Sequence, residues 1–572
     1  RDWQVPEGSE NPDIESTPAA VAIVTLRLNG KVIALGSHPT PDPSPKSVYF
    51  ATRQALASLD RKLANTQNST DPLFNGLAQD ISDQVLITLE LSDTLVPIPN
   101  SELALPGFGY TPGILGVSVA RANNLQTMGP ESMLRLNTDM VQSAMALANA
   151  ITDDASAVLR EPKDLANSGY RFYRFEPIVL TQLDPKLGPV FTHRAGRVIP
   201  ESEVGFRPMV SMSSNIAAHL MARTWPGSEH YGFMGTLDPI TGESESKAAA
   251  PFEQALAAYA LLRYGETANT AHQRQAVKAA TNALAELSIV ESTETAPWQG
   301  NDRAINASMA LIALSQIQLI DILADESLNT LRLQCLEVLD TLFTPSGFAK
   351  QVSPSAKGLI AMALVRSQRL DPRDRTALAS AAVAQTFEDT PPGGLVAQMP
   401  FLGWAQLELD ETNGQPQAHE GLSQMRELVW GHQLTSEDLD WSQRDLVGGI
   451  VFTKSKTPLP SWLGLRPLAC IATMLGDQTY TTGTIASGEI PTQINHQIRA
   501  IRFLRQLCAT DEILHMYASP DDANWGVRRA LWDQHQGIET SAMALLVLNE
   551  TTRSFNKIIA NTKPDQTPDS KP

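Results

Sequence analysis

Cysteine and histidine are too few and too scattered for the common metal frameworks. The chain has three cysteines, Cys335, Cys470 and Cys508, without Cys-x-x-Cys spacing, which disfavours a metal cluster or a disulfide scaffold. We interpret them as buried thiols in helices. None of the ten histidines forms a His-x-His or His-Glu-x-x-His motif. We therefore expect no metal site and no cofactor.

Positive charge is also scarce. The sequence has 44 Lys and Arg against 62 Asp and Glu, a net charge of −18 at pH 7. Nucleic acid is excluded as an expected partner, because binding to phosphates requires a basic surplus. Glycine-rich nucleotide loops and the Gly-x-Ser-x-Gly elbow do not occur in their usual context, so nucleotide binding and serine hydrolysis have no support.

No hydrophobic run approaches the ~18–20 residues that cross a membrane, so we expect no transmembrane segment. The chain starts at Arg1 rather than methionine, and an acidic, polar stretch follows. From these features we expect a soluble bacterial protein that is secreted or periplasmic, its leader having been removed.

The length of 572 residues exceeds the usual size of one domain. We predict a flexible leader followed by an α+β domain, a helical domain and a disordered tail. Their respective bounds are 1–17, 18–204, 205–560 and 561–572.

Mixed strands and helices characterise the predicted first domain. Residues 20–28 and 31–36 are β-branched runs separated by Asn29-Gly30, a strong hairpin signal. Residues 47–63 show a helical period. Further strands are predicted over 83–91 and 113–120, a helix over 131–150, and β structure over 170–200. This order is typical of a compact α+β domain.

Several segments carry a family resemblance: TLRLNGKV, QVLITLELSDTLVPIP, PGILGVSVA and MGPESML, in this order. The region resembles the domain family named for the AMME syndrome chromosomal region, which implies that family's fold for about a quarter of the chain. The family's Arg-Gly-Cys-Ile-Gly segment is absent, because residues 33–38 read IALGSH. The resemblance therefore implies no functional residue.

The second domain is organised around residues 251–262, PFEQALAAYALL, an Ala- and Leu-rich helix that is apolar on nearly every face. A helix of this kind is buried all round. Five later segments repeat its character: 304–316, 355–368, 397–409, 465–475 and 539–548. Amphipathic helices are predicted between them, over 273–289, 330–343, 374–387, 420–430 and 495–508, with a sixth running on through 553–560.

Alternation of buried and half-exposed helices indicates a helical array. Six pairs close a ring, so we predict a mainly α protein whose C-terminal domain is an (α/α)6 toroid. An open solenoid of hairpins is the alternative, although the irregular loop lengths disfavour it. The toroid resembles two superfamilies, the six-hairpin glycosidases and the terpenoid cyclases with prenyltransferases, in architecture only. No motif implies catalytic residues; the nearest stretch to the cyclase acidic cluster is Asp438-Leu439-Asp440-Trp441.

Acidic side chains at the predicted cavity mouth are the catalytic candidates, since paired carboxylates act on glycosidic bonds. The candidates are Glu253, Asp302, Asp440, Asp533 and Glu539. Tryptophan rings stack on sugar faces, and a guanidinium anchors an anionic group. The proposed ligand-binding residues are Trp298, Trp441, Trp532 and Arg466.

Each candidate also has a structural interpretation. Glu253 and Glu539 suit the first turn of a helix, where a carboxylate interacts favourably with the dipole. Asp302 suits an N-cap, and Asp440 belongs to an acidic loop that water would solvate. Trp298 and Trp532 are suited to plugging the junctions between helix pairs.

Three functional hypotheses follow. The first is a protein that binds a glycan or similar extended small molecule in the toroid and processes it. The second is a non-catalytic scaffold whose cavity is filled by side chains. The third, a terpenoid or prenyl enzyme, requires a cavity lined by aromatic residues, and the 6% aromatic content disfavours it. An enzyme of the first kind needs two carboxylates about 5–10 Å apart across a cleft.

Overall fold

The structure is a computed structural model that describes most of the chain. The described residues are 18–66, 84–103, 111–152, 156, 160–229, 231–291, 300–414, 419–452, 458–480 and 489–562. The predicted leader, nearly all of the predicted tail, and Trp298 lie outside these ranges.

The first part of the chain is rich in strands. Its nine strands are β1 (Ala19–Leu28), β2 (Lys31–Ser44), β3 (Leu86–Ser92), β4 (Val96–Pro97), β5 (Gly116–Arg121), β6 (Asn124–Met128), β7 (Arg171–Phe175), β8 (Ile178–Thr181) and β9 (Val190–Phe191). Its helices are α1 (Ser47–Thr66), α2 (Pro130–Leu136), α3 (Met140–Thr152) and α4 (Pro162–Asn167).

Two antiparallel sheets form in this part, in the orders β2-β1-β3-β8-β9 and β4-β7-β5-β6. The predicted Asn29-Gly30 hairpin is present: both residues have positive φ, 50° and 73°, as a type I′ turn requires. α1 packs on β1 and β2, and α3 on β5 and β6. The helix predicted over 131–150 is interrupted, because Asn137 adopts a left-handed conformation that ends α2.

Helices dominate the rest of the chain. They are α5 (Phe206–Ala222), α6 (Pro251–Gly265), α7 (Thr270–Glu291), α8 (Gly300–Leu314), α9 (Leu319–Ala324), α10 (Glu326–Leu342), α11 (Lys357–Ser367), α12 (Thr376–Asp389), α13 (Pro392–Gln398), α14 (Phe401–Asn413), α15 (Glu420–Trp430), α16 (Leu465–Leu475), α17 (Glu489–Leu507), α18 (Asp511–Leu514), α19 (Pro520–Ala523) and α20 (Ile538–Thr562). Two small hairpins join them: β10 (Leu237–Asp238) with β11 (Glu243–Ser244), and β12 (Phe343–Thr344) with β13 (Gly347–Phe348).

Six of these helices form a closed inner ring. In chain order, α6, α8, α11, α14, α16 and α20 each contact the next, and α20 packs against α6. The outer layer consists of α5, α7, α10, α12, α15 and α17. The main contacts of α15 are with α13, and the other five pack on inner helices. The protein is therefore mainly α, as predicted, and the closed ring excludes the open solenoid.

The sixth outer helix differs from the prediction. Residues 553–560 do not form a separate outer helix, because α20 runs without a break to Thr562. No glycine or proline stands between residues 539 and 562 to end it. The sixth outer position is occupied instead by α5, which precedes the first inner helix and packs on α20.

The inner helices are buried as their composition predicts. Residues 255–262 of α6 are each at most 6% exposed. These side chains belong to a hydrophobic core that includes residues from all six inner helices. None of the described helices combines the length and hydropathy needed to cross a membrane.

Candidate functional site

The inner helices begin at the same end of the ring, where a cavity of about 570 Å³ lies. We call it the N-terminal cavity. Residues from the first two turns of α6, α8, α11, α14 and α16, or just before them, line it, together with Gln398 at the end of α13. The lining residues are Ala250, Pro251, Phe252, Asp302, Ile305, Asn306, Ser355, Ala356, Leu359, Gln398, Phe401 and Arg466.

Two of the predicted site residues, Asp302 and Arg466, line this cavity. Asp302 is exposed and lies inside the first turn of α8, which begins at Gly300. The N-cap interpretation of Asp302 is therefore wrong. Arg466 donates to the carbonyl oxygen of Ala397 at 3.3 Å. Burial lowers the pKa of Arg466, and the charge of Glu539 opposes that effect.

Glu253 and Glu539 lie in the first turns of the neighbouring helices α6 and α20. Both carboxyl groups are half-buried. Burial raises the pKa of each, and the charge of Glu253 raises the pKa of Glu539 further. The Ala250 amide donates to Glu253 Oε2 at 3.1 Å. This bond satisfies a free amide at the start of α6, so the structural role considered for Glu253 is also present.

Asp533 and His535 form a hydrogen-bonded pair in the loop just before α20. The distance from His535 Nδ1 to Asp533 Oδ1 is 2.7 Å, and His535 Nε2 is 4.0 Å from Glu245 Oε1. The hydrogen bond to Asp533 raises the pKa of His535. Burial opposes ionisation of Asp533, yet the bonds to His535 lower its pKa. Arg529, whose amide donates to the carbonyl of His535, lowers the pKa of Glu253 and of Glu539.

Of the predicted tryptophan platforms, the two in the described part of the chain, Trp441 and Trp532, are not among the residues that line this cavity. Trp441 is 62% exposed and contacts the ring of His193 at a centroid distance of 5.0 Å. Asp440 is exposed just before it, so it too lies apart from the lining residues. Trp532 is half-buried and packs against two hydrophobic clusters, which matches the plugging role. Among the described residues, the aromatic rings that line the cavity are those of Phe252 and Phe401.

A larger cavity of about 1100 Å³ lies at the opposite end of the ring, where the inner helices end. We call it the C-terminal cavity. The sequence analysis does not predict this cavity, because its candidate residues lie at the beginnings of the inner helices or in the loops beside them. The sequence does contain a feature that indicates this cavity: two of the otherwise apolar inner helices carry an arginine near their ends, Arg263 in α6 and Arg366 in α11. In the described part of the chain, no group of three or more His, Cys, Asp or Glu is arranged to hold a metal ion.

No protein-family model and no curated protein matches this sequence. Among solved structures, it is similar to a GH76A α-1,6-mannanase from a Salegentibacter species, with 10% identity, 60% of this chain and 99% of that chain covered, and a TM-score of 0.41. A type II terpene cyclase from Scytonema, in complex with geranylgeranyl dihydroxybenzoate, matches with 12% identity, 61% and 99% coverage and a TM-score of 0.34.

An uncharacterised protein from Pyrococcus horikoshii is also similar, with 14% identity, 32% of this chain and 85% of that chain covered, and a TM-score of 0.23. Likenesses at these scores and identities assign neither a family nor a function to this chain. The resemblance of about a quarter of the chain, within the predicted first domain, to the AMME domain family stays a prediction, as do the domain bounds.

Proposed function

We propose that this protein binds a glycan at the N-terminal cavity and processes it by acid–base catalysis. The observation that carries the proposal is the pair Glu253 and Glu539, two half-buried carboxyl groups with raised pKa values in the first turns of α6 and α20. They are not among the lining residues themselves; Arg466, which lines the cavity, interacts electrostatically with Glu539. Two carboxyl groups in one site, one protonated and one ionised, are what glycosidic bond cleavage requires.

The roles follow from the environment of each group. Burial and the charge of Glu253 both raise the pKa of Glu539, so Glu539 is the group that retains a proton and acts as general acid. Glu253 is held by the Ala250 amide and serves as the ionised partner. Asp533 keeps His535 oriented and basic, so His535 is available to move a proton at the rim.

The residues that line the N-terminal cavity suit a sugar. The rings of Phe252 and Phe401 offer apolar faces on which C–H surfaces pack. Asp302, Asn306 and Gln398 offer polar groups for hydroxyls. Arg466 is available to bind a carboxylate of an acidic glycan or a hydroxyl of a neutral one. A terpenoid ligand fits less well, because these polar side chains would lose their hydration without gaining partners.

The test is a screen of neutral and uronate-containing polysaccharides with the full chain. Thermal shift reports binding, new reducing ends report hydrolysis, and the ultraviolet absorbance of unsaturated uronates reports β-elimination. We expect at least one glycan to raise Tm and to be cleaved. Glu539→Gln is expected to abolish cleavage while retaining binding.

Glu420→Gln is the matched control, because Glu420 also lies in the first turn of a helix, α15, and is exposed away from the cavity. It should behave like the wild type. If no glycan is bound or cleaved, and Glu253→Gln and Glu539→Gln change only stability, the glutamates are structural and the scaffold hypothesis is correct.

A further inference from the structure

The C-terminal cavity is formed by residues distinct from those of the N-terminal cavity: the two linings share none. The apolar side chains of residues 255–258 lie between the two ends of α6 and are buried in the ring core. The C-terminal cavity is therefore a separate space with chemistry of its own.

Two aromatic residues contribute to this cavity. The rings of Tyr259 and Trp404 lie with their centroids 6.0 Å apart, and both residues line the space. The indole of Trp404 donates to Thr473 Oγ1 at 2.9 Å, which fixes its orientation. Burial raises the pKa of Tyr259, so its phenol stays neutral and is available as a hydrogen-bond donor.

Arginine–glutamate pairs form much of the wall. Arg263 Nε donates to Glu550 Oε1 at 3.1 Å, linking α6 to α20. Arg366 pairs with Glu408 and links α11 to α14. The side chain of Arg366 is only 5% exposed. These pairs hold donors and acceptors in fixed positions around the cavity, and a guanidinium bound in this way remains able to share its other N–H groups.

Opposite charges nearly balance among the residues that line the cavity. The basic ones are Arg263, Arg366, Arg369, Arg553 and Lys557. The acidic ones are Glu266, Glu408, Asp410, Glu411, Asp477 and Glu550. Among the described residues that line the cavity, five positive and six negative charges offer no net attraction to a strongly charged ligand. Alternating donors and acceptors beside aromatic rings suit a ligand that carries many hydroxyls, each of which both donates and accepts.

We propose that the C-terminal cavity is a second binding site, specific for a neutral polyhydroxylated ligand such as an oligosaccharide or a polyol. The cavity volume exceeds the usual range for small-molecule pockets of ~300–1,000 Å³, so an oligosaccharide of several units fits the space better than a single sugar. Glu266, Glu408 and Glu550 are engaged by arginines, so the site binds its ligand without using these carboxylates as acids.

The experiment is calorimetric titration of the full chain with neutral trisaccharides of mannose, glucose and galactose, and with sorbitol. It is performed in the Glu253→Gln/Glu539→Gln background, in which no glycan is cleaved during the titration. The N-terminal cavity can still bind in this background, so the C-terminal site is identified by its response to substitutions of residues that line only the C-terminal cavity. Tyr259→Phe, which removes only the hydroxyl, and Arg369→Gln, at a 53% exposed side chain, should each weaken binding tenfold or more at an unchanged Tm.

Arg373→Gln is the control, since Arg373 is similarly exposed, at 58%, and pairs with Asp340 and Asp371 outside the cavity. It should leave binding unchanged. The proposal is overturned if no neutral probe binds, if Tyr259→Phe and Arg369→Gln have no effect, or if inorganic phosphate binds in place of the sugars. Because the assay measures binding in a background without the two glutamates, its outcome is independent of glycan cleavage at the other end.

Discussion

Glu253 and Glu539 interact electrostatically across the junction where the first and last inner helices meet, and the charge of Glu253 raises the pKa of Glu539. The interaction exists only because the ring closes, since the two residues are far apart in sequence. Closure of the ring is therefore what brings the two candidate acids together.

The proximity of the two glutamates can be measured without knowing the substrate. Glu253→Gln removes a negative charge, so the carboxyl group of Glu539 should titrate at a lower pH than in the wild type. Carbon NMR of labelled glutamate side chains follows this titration. Glu420→Gln, in a helix of the outer layer, should not move it; an unchanged Glu539 titration in Glu253→Gln would show that the two groups do not interact.

Two buried histidines predict loss of stability in mild acid. Burial lowers the pKa of His219 and of His515 from 6.5 to about 4. Above pH 6.5 the folded and unfolded states are both neutral at these positions, so they contribute no pH dependence. Between pH 6.5 and 4 only the unfolded chain takes up the protons, and about 3 kcal/mol of stability per histidine is lost as pH falls.

The test compares urea unfolding of the wild type and His515→Gln at pH 7 and pH 5. Neither ring nitrogen of His515 has a hydrogen-bond partner among the described residues, so the glutamine variant should remain folded and depend less on pH. His432→Gln, at a half-buried position, should keep the wild-type dependence. Equal pH dependence in all three proteins would contradict the assignment.

The turn at Gly30 is predicted to control docking of the first part of the chain on the helical ring. Gly30 has a φ of +73°, and a Cβ added there would lie 1.7 Å from the carbonyl oxygen of Tyr517. Gly169 has a φ of +89° with nothing within 4 Å of such a Cβ. Gly169→Ala should cost about 1–2 kcal/mol of unfolding free energy through backbone strain alone. Gly30→Ala should cost about 3–4 kcal/mol, because a steric clash adds to the strain.

Chemical denaturation of the two alanine variants provides the comparison. Equal losses would mean that the contact between Gly30 and Tyr517 does not contribute to stability.

A buried ion pair joins the same two parts of the chain. Arg194 bonds Asp445, and each side chain is 1% exposed. Arg194→Met should cost about 3–5 kcal/mol, because it leaves a buried carboxylate without its partner. Arg197→Met, at a 39% exposed side chain paired with Glu203, should cost less than about 1 kcal/mol.

The double variant Arg194→Met/Asp445→Leu separates two contributions to the free energy of unfolding: that of the ion pair itself, and the penalty for leaving the buried Asp445 carboxylate without a partner. It should recover most of the lost stability in thermal unfolding. A double variant no more stable than Arg194→Met would show that the damage comes from altered packing.

Regular local patterns made much of the fold predictable. The Asn29-Gly30 turn and the all-round apolar helix at 251–262 each follow from local chemistry, and each is present in the structure. The prediction of the sixth outer helix is wrong, because the helix that closes the ring is distant in sequence from the inner helix on which it packs. α5 completes the ring although it precedes the first inner helix, and only the three-dimensional contacts identify its neighbours.

The candidate site was predictable to a smaller extent. Acidic residues at helix beginnings pointed to Glu253 and Glu539, since parallel inner helices bring their first turns together. Trp441 failed as a platform because it follows an outer helix and contacts His193 instead. The sequence pattern does not predict a functional role for Arg529 or Tyr259. Arg529 lies in a loop, and it lowers the pKa of Glu539. Tyr259 belongs to an apolar helix whose pattern predicts a buried core residue.

The most direct test of the central claim is the rate of glycan cleavage by Glu539→Gln beside Glu420→Gln, on a glycan that the wild type cleaves. We predict that kcat of Glu539→Gln falls about 10²–10⁴-fold, the usual contribution of a general acid, with KM and Tm close to those of the wild type. Wild-type turnover in Glu539→Gln would contradict acid–base catalysis at this pair.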